Sequence, residues 1–130
     1  MPKYSNSSGE MIDKKVIDRR IAKAKDQYVE KFIDDNGFTF CERSIRSDLG
    51  FDCSHIISVR ECQDSGRCEL AYSKKNIELL CRQEHLKFEQ LPNKVREAWY
   101  NARMEGMTFE NFLLFNNIDI QEKNNLFNNQ

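Results

Sequence analysis

The first 37 residues carry the clearest periodic pattern of the chain. Over 11–33, apolar side chains return every three or four residues, at Ile17, Ile21, Ala24, Tyr28 and Phe32. This spacing is the period of an amphipathic α-helix. The pair Asn36-Gly37 is typical of the C-terminal end of such a helix. We therefore predict one long N-terminal helix with an apolar side turned towards a core.

Three short β-prone runs follow the helix. The run 38–41 is aromatic, the run 51–57 begins after the turn signal Leu49-Gly50, and the run 76–81 contains an apolar cluster. Aromatic and branched residues between turn signals favour strands. The stretch 58–72 between the last two runs is polar and contains Asp64-Ser65-Gly66, so its composition predicts a loop. The runs 51–57 and 76–81 therefore predict a hairpin with a long loop.

The C-terminal third is predicted to be helical. Residues 82–90 can form a helix, and Pro92 suits the first turn of another that ends at Gly106. Thr108 can cap a last short helix, whose apolar side chains need a partner surface: Phe109, Phe112, Leu113 and Phe115. The helix, Gly106, helix pattern is also open to interpretation as a helix-turn-helix, although the turn alone is a weak signal.

These patterns predict an α+β fold in one domain. We divide the chain into an N-terminal helix (1–36), a central hairpin and helix (37–90), C-terminal helices (91–115) and an Asn-rich tail (116–130) that we expect to be flexible. The tail has little apolar content with which to offset the entropy of ordering it. A chain of 130 residues is too short to favour a second independent core.

Composition narrows the class of protein. Charged residues make up 32% of the chain, and no apolar run approaches the roughly 20 residues of a membrane span. The polar N-terminus lacks the features of a secretory signal, so we expect a cytoplasmic protein without a membrane partner. Five cysteines in that setting favour reduced thiols or metal ligands over disulfides. The formal net charge is only −1, so any contact with nucleic acid must use local basic patches.

The chain has two histidines, and their positions suggest a site. His55 lies on the first strand of the predicted hairpin, His85 lies on the helix after it, and Asn76 opens the second strand. Pairing of the strands could bring both imidazoles to one cleft. One neutral imidazole can take a proton from water, and a second can bind a divalent cation. Hydrolysis of a phosphodiester needs both roles.

The segment from Cys41 to about Phe88 resembles the HNH, or ββα-metal, endonuclease family. The resemblance rests on Asp52-Cys-Ser-His55-Ile-Ile57, then Asn76-Ile-Glu-Leu-Leu-Cys81-Arg82, then His85, in the order and spacing of the family. It implies a hairpin-plus-helix core braced by the N-terminal helix and the two C-terminal helices. It also implies that His55 is the general base, that Asn76 braces the hairpin, and that His85 binds the catalytic metal.

The resemblance further implies one divalent cation, with Mg²⁺ or Mn²⁺ expected first and Ni²⁺ or Zn²⁺ as alternatives. The position before the base is commonly a metal-binding His or Asp in the family. Here it is Ser54, and Asp52 is the alternative ligand, since hard cations prefer oxygen. The sequence leaves the choice between them open.

Many members of the family hold a structural zinc ion with two Cys-x-x-Cys motifs. Cys41 and Cys81 match the first cysteine of each, but Ser44 and Glu84 stand at the second positions. A closed four-thiolate site cannot form from these residues, so we do not expect structural zinc there. A rearranged zinc site that uses Cys62 and Cys68 is one open alternative. The other is that all five cysteines, including Cys53, are small buried apolar residues.

We therefore expect a DNA endonuclease that leaves 5′-phosphate and 3′-hydroxyl ends, with nicking by a monomer as the simplest case. By resemblance, a phage or mobile-element context is expected. A cationic rim could contact phosphates, and it comprises Arg60, Arg67, Lys74, Lys75, Arg82 and Lys87. Two alternatives stay open: an inactive scaffold that binds DNA or a protein partner, and a nuclease that cleaves RNA.

Overall fold

The computed structural model describes residues 2–48 and 50–118. The predicted tail beyond Ile118, together with Met1 and Leu49, lies outside the described residues. The chain combines five α-helices and two 3₁₀ turns with two small antiparallel sheets in this part, which is compatible with the predicted α+β class. No helix among the described residues has the length and apolar character needed to cross a membrane.

The N-terminal segment forms a small hairpin before the long helix begins. Strand β1 (Lys3–Ser5) pairs with β2 (Met11–Asp13), and Tyr4 lies opposite Ile12. Helix α1 (Lys14–Asn36) follows directly and ends at Gly37, whose φ of +84° is readily adopted only by glycine. The helix predicted over 11–33 is thus confirmed, but its start at residue 11 was wrong because Met11–Asp13 are paired in a strand.

The central hairpin agrees with the two later β-prone runs. Strand β3 (Phe51–His55) pairs with β4 (Ile77–Cys81), with His55 opposite Ile77 and Phe51 opposite Cys81. Helix α3 (Arg82–Glu89) continues from β4 without a connecting loop. Every residue of β4 is buried, which is why its residues are apolar on both faces rather than alternating; the exception is Glu78, which pairs with Arg43.

Two predictions in this region were wrong. The run 38–41 is not a strand: its chain is irregular, because Phe40 packs against Phe32 of α1 at 4.8 Å between ring centroids instead of entering a sheet. The predicted loop 58–72 contains helix α2 (Val59–Asp64) and the 3₁₀ turn Cys68–Tyr72, with a second 3₁₀ turn at Lys74–Asn76. The Ser58 hydroxyl accepts from the backbone N–H of Glu61 and so caps α2.

Helices α4 (Asn93–Met104) and α5 (Phe109–Phe115) complete the fold as predicted, and the Thr108 hydroxyl caps α5. One core cluster lies between the central hairpin and the C-terminal helices; its buried members are Cys41, Ile56, Leu80, Cys81, Phe88, Leu91, Trp99 and Phe112. A second lies under α1 and the N-terminal hairpin; its buried members are Ile12, Ile17, Ile57, Cys62, Cys68 and Ala71. Ile56 of the first cluster and Ile57 of the second are adjacent, so the two clusters meet directly after His55.

Candidate active site

His55 is the last residue of β3, and one hydrogen bond fixes its ring. Its Nε2 lies 2.7 Å from the backbone oxygen of Ala71. Because a carbonyl oxygen can only accept, Nε2 carries the proton and donates it. No described residue hydrogen-bonds to Nδ1. Among the described residues, the one side-chain polar atom that is both fully buried and without a partner is Ser54 Oγ, so the unpaired Nδ1 is not fully buried. Nδ1 of the neutral ring therefore keeps a lone pair that solvent can reach.

The surroundings of His55 favour the neutral ring. Burial lowers the pKa of His55 below its ordinary value, and the positive charges of Lys25, Arg96 and His85 lower it further, while the hydrogen bond to Ala71 opposes them. A neutral imidazole with an open lone pair can act as a general base at neutral pH.

We expect His55 to titrate below pH 6.5, its ordinary value. The folded protein then binds fewer protons than the unfolded chain near this pH, so the contribution of His55 to stability is present above pH 6.5 and is lost as the pH falls. The measurement is a pH titration of the imidazole nitrogens by NMR, with His85 as the internal comparison. A midpoint for His55 at or above 6.5 would contradict the prediction.

Asn76 ends the second 3₁₀ turn and joins it to the end of the hairpin. Its side-chain oxygen accepts from the backbone N–H of Ile57 at 2.7 Å, and its Nδ2 donates to the backbone oxygens of Ile57 at 2.9 Å and Leu70 at 3.0 Å. The side chain is fully buried. Asn76 therefore holds the chain just after His55 against the segment that carries Ala71, the partner of the His55 ring.

His85 lies on α3 with a carboxylate at each ring nitrogen. Nδ1 is 2.9 Å from Asp52 Oδ2, and Nε2 is 2.9 Å from Glu89 Oε1. A neutral imidazole carries a single N–H. When Nδ1 donates that proton to Asp52, Nε2 is left with a lone pair beside the Glu89 carboxylate.

Asp52 and Ser54, the two alternative metal ligands, are in different environments. Asp52 contacts both His85 and Arg82, whose Nε is 3.1 Å from Asp52 Oδ2. Ser54 is 1% exposed and lies opposite Glu78 in the hairpin. No hydrogen bond joins the Ser54 hydroxyl to any described residue. Asp52 is thus the alternative that lies beside His85.

The donors around His85 suit a hard divalent cation in their chemistry: one imidazole and two carboxylates. Asp52 and Glu89 nevertheless lie on opposite sides of the ring, and within 2–48 and 50–118 no three His, Cys, Asp or Glu side chains are grouped to hold one ion. Magnesium is commonly bound by one or two carboxylates, with water and substrate phosphate as its other ligands. His85 with one of the two carboxylates fits that kind of site.

Cys41 and Cys81 are neighbours, and both are buried. Although burial raises it, the pKa of the Cys41 thiol lies below its ordinary value because of the polar groups around the sulfur, chiefly Ser44, whose backbone N–H donates to it at 3.5 Å. The other two candidates for zinc ligation have separate partners: the Cys62 thiol donates to the Ile57 carbonyl and the Cys68 thiol to the Tyr4 carbonyl. Burial raises the pKa of Cys62 to about 12, which disfavours the thiolate that zinc binds.

Most of the predicted cationic rim is engaged in ion pairs. Arg67 Nη2 lies 2.6 Å from Glu97 Oε1, and Lys87 Nζ lies 3.5 Å from Glu84 Oε1. Arg60 is 3.6 Å from Asp64 but is largely exposed, and Arg82 contacts Asp52. Lys74 and Lys75 are exposed and form no ion pair with a described residue. The exposed pairs of Arg60 and Arg82 are weak and can exchange for phosphate contacts, whereas Arg67 and Lys87 are half-buried in their pairs, and Arg67 braces α4.

Three neighbours of the site were missed in the sequence. Glu89 lies four residues after His85 on the predicted helix, and that spacing alone places both on one face. Arg96 interrupts the apolar face of α4 beside Val95 and Trp99, and an arginine at such a position is a signal for a buried polar contact. Lys25 of α1 also influences His55, but nothing in its local sequence distinguishes it from the other lysines of that helix.

Comparisons of the chain with protein-family models, with curated proteins and with solved structures found no match.

Proposed function

We propose that this protein is a metal-dependent DNA endonuclease of the HNH type, with β3, β4 and α3 as its ββα-metal core. The observation that carries the proposal is the state of His55. Its Nε2 proton is held by the Ala71 carbonyl and its Nδ1 is open, while Asp52, three residues earlier on β3, contacts the imidazole of His85. A general base with a fixed ring, together with oxygen and nitrogen ligands for a metal ion, is what metal-dependent hydrolysis of a phosphodiester requires.

In the proposed reaction, His55 Nδ1 takes a proton from a water molecule. The water oxygen forms a bond to phosphorus, the bond from phosphorus to the 3′ oxygen breaks, and that oxygen takes a proton from solvent. The products carry 5′-phosphate and 3′-hydroxyl ends. A divalent cation bound by His85 with Asp52 or Glu89 supplies charge neutralisation at the phosphate and the leaving oxygen.

DNA is the proposed substrate, and the exposed Lys74 and Lys75 support contact with its phosphates. Both lie in the 3₁₀ turn that ends at Asn76, next to the end of β3. Their position would bring a phosphate backbone close to His55. Phosphate contacts of this kind orient the nucleic acid without reading its sequence.

Metal binding tests the proposal independently of turnover. We expect Mn²⁺, followed by its electron paramagnetic resonance signal, to bind the wild-type protein and to bind His85→Ala at least about tenfold more weakly, a loss of about 1.4 kcal/mol. Gln83→Ala, an exposed change on the same helix, is the matched control and should bind as wild type does. Equal binding by wild type and His85→Ala would contradict the metal site proposed here.

A further inference from the structure

Arg96 of α4 is a buried cation without a carboxylate partner. Its side chain is almost wholly enclosed, with 7% of the residue exposed, and no described acidic group lies within ion-pair distance of it. The guanidinium rests over the Phe88 ring at 4.9 Å from the centroid. Burial of a charge is costly unless strong hydrogen bonds replace its hydration. The contacts that Arg96 makes instead therefore indicate its role.

Those contacts are two backbone carbonyls at the end of β3. Arg96 Nη2 donates to the oxygen of His55 at 2.7 Å, and Nε donates to the oxygen of Ile56 at 2.8 Å. The hairpin ladder ends at His55, so neither carbonyl continues it. The planar guanidinium binds two successive acceptors at once, which a single donor cannot do.

The same short segment is held from its other side by Asn76. The backbone N–H of Ile56 donates to the Asn76 carbonyl, and that of Ile57 donates to the Asn76 side chain. Arg96 and Asn76 thus hold the main chain at 55–57 between them, while the Ala71 carbonyl holds the ring of His55. With the backbone and one ring nitrogen both fixed, the direction of Nδ1 is fixed as well.

We infer that Arg96 is a positioning residue for His55, acting through the backbone of β3 to aim the base. This role rests on the proposed function, but the orientation of the ring can be tested without it. The matched control is Arg103 on the same helix, which donates to the Lys75 carbonyl and the Tyr28 hydroxyl. Arg103 also joins α4 to the rest of the fold, but it makes no contact with 55–57.

The test compares Arg96→Met, Arg96→Lys and Arg103→Met in the full-length protein. The first readout is the tautomer of His55, followed by imidazole ¹⁵N NMR, and the second is the division of the cleavage rate between kcat and KM. For Arg96→Met we expect loss of the uniform Nε2–H tautomer and a fall in kcat of about 100-fold, since a misplaced catalytic group costs about that much. KM should stay near the wild-type value. Arg96→Lys should restore part of both, and Arg103→Met should change neither.

The inference is overturned if Arg96→Met keeps the wild-type tautomer and kcat while only its stability falls, or if Arg103→Met gives the same changes. If wild type cleaves nothing, the proposed function fails, but the tautomer comparison still decides whether Arg96 orients His55. Should Arg96→Met not fold, Arg96→Lys carries the same comparison. It keeps the charge and loses the planar fork, so a mixed tautomer in a folded variant supports the inference and a wild-type tautomer overturns it.

Discussion

Replacing His55 with alanine is expected to lower the rate of DNA cleavage by between about 10²-fold and 10⁴-fold, the usual contribution of a general base. The change removes the open Nδ1 and leaves the rest of the site in place. It also leaves the Ala71 carbonyl without its partner, so a modest loss of stability accompanies the loss of activity. The measurement is the single-turnover rate on duplex DNA at saturating metal, with folding checked by circular dichroism.

Cys53→Ala is the matched control for this variant. Cys53 lies on the same strand two residues before His55, is half-buried and makes only a long contact with the Lys25 carbonyl. It should cleave at close to the wild-type rate. Equal rates for His55→Ala and wild type would remove His55 from the mechanism, and a large loss in Cys53→Ala would show that any disturbance of β3 has the same effect.

Replacing Glu78 with alanine is expected to give a large loss of stability, about 3–5 kcal/mol, because it removes one partner of a buried ion pair. Glu78 is 2% exposed and accepts from both Nη atoms of Arg43 and from the Trp99 indole N–H. The Arg43 guanidinium lies 3.7 Å from the centroid of the Phe109 ring. Without Glu78, Arg43 would be a largely buried cation among aromatic rings, with no other described carboxylate paired to it.

Urea denaturation of the Glu78→Ala variant measures this loss. Asp35→Ala, which breaks the exposed pair of Asp35 with Lys31, is the control and should cost less than about 1 kcal/mol. The double change Glu78→Leu with Arg43→Met should recover part of the loss, because an apolar pair needs no counter-ion. A cost for Glu78→Ala no larger than that of the control would contradict our account of this pair.

The parts of the fold that follow from local pattern were predictable, and those that depend on distant partners were not. Helix α1 repeats its apolar positions from Ile17 to Phe32 and ends at a glycine, so its own residues are enough to predict it. The aromatic run 38–41 has the local pattern of a strand, but Phe40 packs against Phe32 of α1 and the run does not enter a sheet. Strand β1 has three residues and exists only because it pairs with β2, so nothing within Lys3–Ser5 predicts it.

The candidate site divides in the same way. His55, Asn76 and His85 stand out in the sequence because the chain has two histidines and because the three residues follow the order and spacing of the family. Asp52 was named as the alternative metal ligand to Ser54. Arg96 acts across 40 residues of sequence through a backbone oxygen, which no spacing rule encodes. Glu89 could have been found from its helical spacing to His85, whereas the isolation of the Ser54 hydroxyl depends on how the hairpin packs.

Conversion of supercoiled plasmid by purified protein, with Mg²⁺ or Mn²⁺ and with EDTA, tests the central claim most directly. Our account predicts open-circular or linear DNA with metal, none with EDTA, and none with His55→Ala under the same conditions. Cleavage that persists in EDTA, or that His55→Ala performs equally well, would contradict it. Plasmid left uncut by wild-type protein with either metal would also contradict it; if the protein still retained the DNA, the chain would be an inactive scaffold that binds nucleic acid.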